Sequence, residues 1–368
     1  MKKIKVLQLL RSPQGGIRKH VLEIIDNLDQ NRFESILITN TKDGDTQFNK
    51  RVKNEYKVID YPIIDQPGLS DLVALYKLFK IIKNLDVDII HGHGAKGGLY
   101  ARIIGKILKK KVLYTAHGGS LHSMHGKIKN IVYQVVEKIL YYLTDKVVFE
   151  SKYSQNEYCR KINKNKTKYI LNYNAIALRL PEEVKPIRSE SIKIGAFGLL
   201  RKIKGHDILI EAASNLINQG YKLEVNIYGE GEERHNLQDL IERRKCTEWI
   251  KIREYCENIQ NEMNQCEIVV HPSRFESFGY VPIEALNEGI TVVSSLEGGL
   301  SEVMDEGRNG FCPKNLTIKE LELAIQNAIE DEAGRILKYN HAKKQLEEKF
   351  NFTNFVTNIE EIYTKCLH

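Results

Sequence analysis

Arg274-Phe275-Glu276-Ser277-Phe278-Gly279-Tyr280-Val281-Pro282-Ile283-Glu284-Ala285-Leu286 is the stretch that decides how this chain folds. It follows the apolar run Glu267-Ile268-Val269-Val270, so the pattern reads strand, loop, helix. Pro282 suits a helix start, where its missing N–H costs little. Gly279 lets a ligand approach the backbone closely. Glu276 therefore falls in the loop at the carboxyl end of a strand, and Glu284 in the first turns of the helix. In open α/β sheets that edge binds ligands. The free N–H groups of a helix start suit an anion, and carboxylates suit the hydroxyls of a sugar or ribose. The Glu spacing alone decides nothing in a chain with 28% charged residues. Its ordinary alternative is one loop carboxylate and one solvated helix carboxylate.

Along the rest of the chain, apolar runs of strand length alternate with amphipathic stretches twice over. The first half predicts strands near 3–9, 34–39, 87–91, 111–115 and 145–150, with helices near 16–29, 70–85, 96–109 and 126–143. The second predicts strands near 192–197, 222–228, 249–253, 267–270 and 290–294, with helices near 206–219, 232–244, 279–288 and 299–305. Such alternation implies parallel sheets covered on both faces. With 368 residues, the chain is too long for one ordinary core. The reading is α/β: two doubly wound, Rossmann-like domains facing across a cleft. The first spans 1–180 and the second 187–349, joined by the aperiodic, proline-bounded Leu180–Pro186. A polar helical tail begins near Leu316.

Composition narrows the function. No apolar run approaches the roughly 20 residues that cross a bilayer. The N-terminal Ile4-Lys5-Val6-Leu7-Gln8-Leu9-Leu10 is too short for a signal sequence and is interrupted by Gln8, so it reads as the first buried strand. Six cysteines show no metal or disulfide spacing, which fits reduced thiols in a cytoplasmic protein. The net charge of +7 conceals an asymmetry of +15 over residues 1–185 against −8 over 186–368. From Ile89 to Val136 there is no acidic residue and there are eight Lys/Arg. That bias concerns partners rather than fold. It suits an anionic acceptor or membrane surface, with nucleic acid as the rival. Lys106, Lys109, Lys110 and Lys111 end one helix, while Lys127, Lys129 and Lys138 punctuate the apolar run Ile128–Leu143. That run is either a core helix or one whose basic edge rests on anionic headgroups.

Gly92-His93-Gly94-Ala95-Lys96-Gly97 matches a dinucleotide fingerprint, G-x-G-x-x-G, after a strand and before a helix. It lacks the acidic residue about 20 positions on that would hold a ribose, so close helix packing by glycines explains it better.

The segment Glu276-Ser277-Phe278-Gly279-Tyr280-Val281-Pro282-Ile283-Glu284-Ala285-Leu286 closely resembles the signature of glycosyltransferase family 4, the retaining nucleotide-sugar transferases of GT-B fold. The likeness extends over most of the chain. Ser12-Pro13-Gln14-Gly15-Gly16 resembles the family's glycine loop, which reaches the donor diphosphate. Thr115-Ala116-His117-Gly118-Gly119 resembles the strand end whose His lies at the transferred sugar; His91 and His93 could line an acceptor pocket there or be structural. Tyr228-Gly229-Glu230-Gly231, Arg253-Glu254-Tyr255, Glu297-Gly298-Gly299 and Gly307-Arg308-Asn309-Gly310 resemble family segments too. Lys204-Gly205 match the family's diphosphate-binding pair, but Leu199 stands where the family has Arg. Either Arg201 replaces it or Lys204 acts alone. Asn172-Tyr173-Asn174 departs from the usual Asn-Gly.

The resemblance implies transfer of a sugar from a nucleoside-diphosphate donor to a hydroxyl, with the anomeric configuration retained. His117 and Glu276 would be catalytic. Gly15, Gly16, Arg201, Lys204, Phe278, Gly279 and Glu284 would bind the donor. No metal or other cofactor is expected, because cations and helix starts supply the positive charge. The acceptor would be a glycan or a lipid-linked glycan, used by a cytoplasmic enzyme peripheral to the membrane, and no nucleic-acid partner is expected. The resemblance also implies that the helix near 350–368 packs back on the first domain. The alternatives are a nucleotide-sugar epimerase of the same fold and a non-catalytic nucleotide-sugar or nucleic-acid binding protein.

Overall fold

A computed structural model describes residues 2–44, 48, 57–64, 68–118, 126–254 and 258–367. Gly119, Tyr255, Cys256 and the side chain of Lys127 lie outside the described residues. The chain divides into two compact units, residues 1–174 with 353–368, and residues 175–352.

The first unit is built on a parallel sheet. Its strands are β1 (Ile4–Leu10), β2 (Phe33–Thr39), β3 (Lys57–Asp60), β4 (Ile89–His93), β5 (Lys111–Thr115), β6 (Lys146–Phe149) and β7 (Tyr169–Leu171), in the order β3-β2-β1-β4-β5-β6-β7. Val6, Leu7 and Leu9 are fully buried, as suits a central strand covered on both faces. The edge strands β3 and β7 are additions to the strands expected from the sequence. Both are short and only partly buried, so neither needs an apolar run. The helix Lys152–Lys161 is a further addition, a polar segment started by Ser151, whose hydroxyl accepts the Ser154 N–H. The chain winds one way from β1 and the other way from β4, which makes their shared carboxyl edge the switch point of the sheet. The helix Gly94–Ile107 lies hard against this sheet. A Cβ on Gly97 would strike the Leu9 carbonyl, and one on Gly98 the Tyr114 ring. The glycine pattern serves packing.

Arg102 on that helix is fully buried. It forms a two-pronged pair with Glu137 at 2.5 and 3.0 Å, gives its Nε to the Gly98 carbonyl at 2.8 Å, and stacks over Tyr114 at 3.9 Å. Tyr158 donates its hydroxyl to Glu137 at 2.8 Å. Glu137 belongs to the helix Lys127–Tyr141, which is inverted relative to an ordinary amphipathic helix. It turns Asn130, Tyr133, Gln134 and Glu137 inward, while Ile128, Ile131, Val132, Val135, Val136 and Ile139 are exposed. The run is not an ordinary core helix: only Leu140 and Tyr141 are buried apolar residues there.

The second unit has the parallel sheet β10-β9-β8-β11-β12, from β8 (Ile192–Phe197), β9 (Leu223–Tyr228), β10 (Ile250–Arg253), β11 (Ile268–His271) and β12 (Thr291–Ser294). Ile194, Val225, Ile227, Ile268 and Val270 anchor its core. Its switch point lies between β8 and β11. Leu180–Pro186 belongs to this unit: the Leu180 N–H bonds the Asn287 carbonyl at 3.1 Å, and Lys185 bonds Gly289 at 2.7 Å. The tail forms the helices Ile318–Glu330, Glu332–Lys349 and Phe352–Leu367, the first two capped by Thr317 and Asp331. Residues from Thr353 onward group with the first unit, where Phe355, Ile359 and Tyr363 are buried.

Glu137→Ala leaves the Arg102 guanidinium buried without its counter-charge. Chemical denaturation should show a loss of about 3–5 kcal/mol, against about 1 kcal/mol for Tyr158→Phe.

Candidate active site

In the second unit, the loops after β8 and β11 are tied together at the sheet's carboxyl edge. Arg274 grips Asp207 with two bonds of 2.7 Å, and its backbone N–H meets the Ile203 carbonyl at 2.7 Å. This clamp brings the turn Lys202–Lys204 against the loop that carries Glu276. The Lys204 ammonium forms an ion pair with the Glu276 carboxylate. The same oxygen, Oε1, lies 3.1 Å from Nε2 of His271, the last residue of β11. A carboxylate only accepts, so His271 carries its proton on Nε2. Burial lowers the His271 pKa, which keeps the ring neutral at physiological pH. Burial also works against ionisation of Glu276, yet Lys204 and His271 outweigh it and hold the carboxyl at about 2.

Two further elements fix the Glu276 loop. Gly298 pairs with Glu276 as an isolated bridge and has φ +70°; a Cβ there would drive into the Glu276 backbone. The Gly299 N–H then bonds the Glu276 carbonyl at 2.8 Å. Downstream, Gly279 takes φ +110° and begins the helix Tyr280–Asn287. Phe278 is buried, with Phe350 at 5.4 Å and Tyr280 at 5.5 Å, so only its backbone is free to serve a ligand. Glu284 sits half-buried in that helix, near enough for its charge to act on His271. Arg201 starts the Lys202–Lys204 turn with an exposed side chain and makes no ion pair among the described residues.

In the first unit, Gly15 and Gly16 are exposed and open the helix Gly15–Asn27 immediately after β1. Gly15 has φ +56°. His117 follows β5, also with a left-handed φ of +51°. It belongs to a buried polar chain at the switch point. His117 Nε2 lies 3.1 Å from His93 Nδ1, and His93 Nε2 lies 2.8 Å from Gln8 Oε1. The Gln8 amide donates to the Tyr363 hydroxyl at 2.9 Å, and His91 bridges Tyr363 and Thr115 at 2.9 Å each. His20, from the first helix, packs edge-on to His117 at 4.7 Å and holds Asn174 Oδ1 at 2.6 Å. Burial depresses the pKa of all four imidazoles, that of His20 to about 4.

Reading the sequence did not single out His20, His271, Gln8 or Asn174. His20, Gln8 and Asn174 have their partners far away along the chain, His271 meets Glu276 from the strand before it, and none stands in a diagnostic local pattern. The hint at His20 was its place one helix turn after the glycine pair.

Two doubly wound units, each with ionisable groups gathered at its sheet's carboxyl edge, form the GT-B architecture of glycosyltransferases. Residues 182–345 match the family described as glycosyl transferases group 1, and residues 14–179 match glycosyltransferase family 4. The chain belongs to family 4 of the glycosyltransferases. It is 25% identical over 360 residues to the uncharacterized glycosyltransferase MJ1178 of Methanocaldococcus jannaschii, covering 95% of this chain and 94% of that one. To the capsular polysaccharide biosynthesis glycosyltransferase CapM of Staphylococcus aureus it is 24% identical over 314 residues, covering 81% and 82%. Anabaena Alr3699/HepE, solved in complex with UDP and glucose, superposes with a TM-score of 0.82 at 21% identity, over 98% of this chain and 100% of that one.

Because Glu276 is held at about 2, against 4.5 for an ordinary glutamate, its ionised form stabilises the folded unit. That stabilisation is complete above about pH 4.5 and fades as the pH falls toward 2. The stability difference between wild type and Glu276→Gln should therefore shrink over that window. Urea denaturation at pH 7, 4 and 3 measures it; a difference independent of pH contradicts the assignment.

Proposed function

We propose that the protein transfers a hexosyl or N-acetylhexosaminyl group from a nucleoside-diphosphate-sugar to a hydroxyl acceptor, with retention. The observation that carries this is the Lys204–Glu276 pair at the switch point of the second sheet. A cation suited to a diphosphate there stands beside a carboxylate suited to sugar hydroxyls, which supports this reading. A diphosphate competes with Glu276 for Lys204 and so frees the carboxylate for the sugar. Glu284 holds the ribose, and the backbone at Phe278-Gly279 donates N–H groups to the phosphates. Negative charge grows on the leaving diphosphate as the glycosidic bond breaks, and Lys204 stabilises it there. The leaving phosphate takes the proton of the acceptor hydroxyl in a front-face displacement. This chemistry needs no metal. Arg201 is free to add a second cation in place of the Arg that Leu199 displaces.

Lys204→Ala should weaken nucleoside-diphosphate binding about ten- to hundredfold, as for loss of a charged hydrogen bond, and leave the bare nucleoside nearly unaffected. Glu284→Ala should weaken donor binding comparably, while Glu276→Ala lowers turnover more than diphosphate affinity. Calorimetry with a donor panel, together with mass spectrometry of the products, measures both. Acceptor-dependent release of nucleoside diphosphate supports transfer. An isomerised donor would instead mark an epimerase, and binding without turnover a non-catalytic protein.

The acceptor we propose is lipid-linked and used at the cytoplasmic face of a membrane in surface-polysaccharide synthesis, a setting supported by the likeness to CapM. No helix among the described residues is long and apolar enough to cross a bilayer. The inverted helix Lys127–Tyr141 offers another mode of contact. Its outward stripe of Ile and Val lies beside Lys129 and Lys138, at the end of the acid-free stretch. Apolar residues enter the headgroup boundary while each Lys adds about 1 kcal/mol, screened within roughly 8–10 Å. The protein should sediment with anionic vesicles and far less with neutral ones. Added salt should weaken the binding, and Ile131→Glu with Val135→Glu should reduce it at least about tenfold. Equal binding to both vesicle types would overturn the claim.

A further inference from the structure

The geometry points to a transition-metal site at His20, His93 and His117 in the first unit, a three-imidazole set suited to Zn²⁺ and its divalent neighbours. One nitrogen of each ring, taken together, lies within 4.8 Å of the others. The three come from different elements: the helix after β1, the end of β4 and the residue beyond β5. A tetrahedral ion with Zn–N bonds of about 2.0–2.1 Å holds its ligand nitrogens about 3.3 Å apart. His93 Nδ1 and His117 Nε2 are 3.1 Å apart. Gathering His20 onto the same centre requires roughly 1–1.5 Å of ring movement.

The protonation pattern supports this. Asn174 Oδ1 only accepts, so His20 carries its proton on Nδ1. Its Nε2 therefore keeps a lone pair, and that buried atom has no hydrogen-bond partner. His20 itself is 1% exposed. Gln8 Oε1 likewise takes the Nε2 proton of His93, leaving a lone pair on His93 Nδ1. Side-chain carbonyls behind two of the rings thus fix the tautomers that ligation requires, as such partners do in metal sites. Between His93 and His117 one proton is shared, carried on His117 Nε2. Metal binding moves it to His117 Nδ1; every ring stays neutral and no net proton is released. With three nitrogen ligands, a fourth position stays open for water or a ligand oxygen. Three neutral imidazoles favour Zn²⁺, Co²⁺, Ni²⁺ or Cu²⁺ over Mg²⁺ or Ca²⁺, which want oxygen ligands. The site is not a requirement of sugar transfer and stands whether or not the reaction above is correct.

The test uses the full-length chain stripped with chelator and titrated with Co²⁺ and Zn²⁺. We expect one equivalent per chain, visible d–d absorption characteristic of tetrahedral Co²⁺ that Zn²⁺ displaces, and a rise in thermal midpoint with Zn²⁺ but not Mg²⁺. His20→Ala should abolish the absorption. Asn174→Ala, which leaves all three ligands in place, should weaken affinity about ten- to hundredfold. The exposed His235→Ala should bind like wild type and controls for surface histidines. Absence of tetrahedral Co²⁺ absorption in the wild type would overturn the site, as would unchanged binding in a folded His20→Ala. Should His20→Ala fail to fold, unchanged affinity in Asn174→Ala would overturn it instead. Donor binding measured in chelator on the same samples tests the transferase reading separately.

Discussion

The carboxyl edge of the second sheet is organised around one carboxylate kept ionised where water is largely excluded. Only 17% of the Glu276 side chain is exposed, so its charge would be lost to protonation without a cation against it. Lys204 supplies that cation from a different loop, and the two loops must therefore be held in register. Arg274 and Asp207 do this with a two-pronged bond beside the pair. Gly298 does it from the other side, because any side chain there would displace the Glu276 backbone. The ion pair thus keeps the carboxylate charged while both partners stay partly open to solvent.

The first unit meets the same problem differently. Its switch point gathers imidazoles in place of a lysine and a carboxylate, and burial strips them of charge. Neutral rings can stack and pass hydrogen bonds from Gln8 through His93 to His117 with no repulsion among them. The left-handed backbone at His117 turns the ring back toward this chain at the strand's end, a cost in backbone strain that the surrounding contacts sustain.

Both sheets were largely legible because a buried parallel strand requires a continuous apolar run, and such runs stand out in a chain so rich in Lys and Glu. What could not be read were elements freed from that requirement, the partly exposed β3 and β7 and the polar helix Lys152–Lys161. At the site, Glu276, Lys204 and Gly279 were readable because loop, glycine and charge fall in one local segment each. His20 was not, since its partners are brought near only by folding, and His271 was not, since a histidine closing an apolar strand carries no local sign that its ring turns toward Glu276. The glycines from Gly92 to Gly98 show the opposite error avoided: their spacing imitates a nucleotide loop, yet Leu9 and Tyr114 explain it by packing alone.

The inverted helix joins these themes. A helix that turned its Ile and Val stripe inward would have added apolar burial, the cheapest source of stability available to it. Instead it is fastened by Glu137 to a buried arginine, an arrangement that stabilises little beyond a hydrophobic equivalent and fails badly if either partner is lost. What the ion pair does provide is direction. It fixes which face of the helix points inward, so the apolar stripe beside Lys129 and Lys138 is presented outward by construction. The buried charge of Arg102 is thus best understood together with the exposed isoleucines, as one device that fixes which face of the helix is exposed.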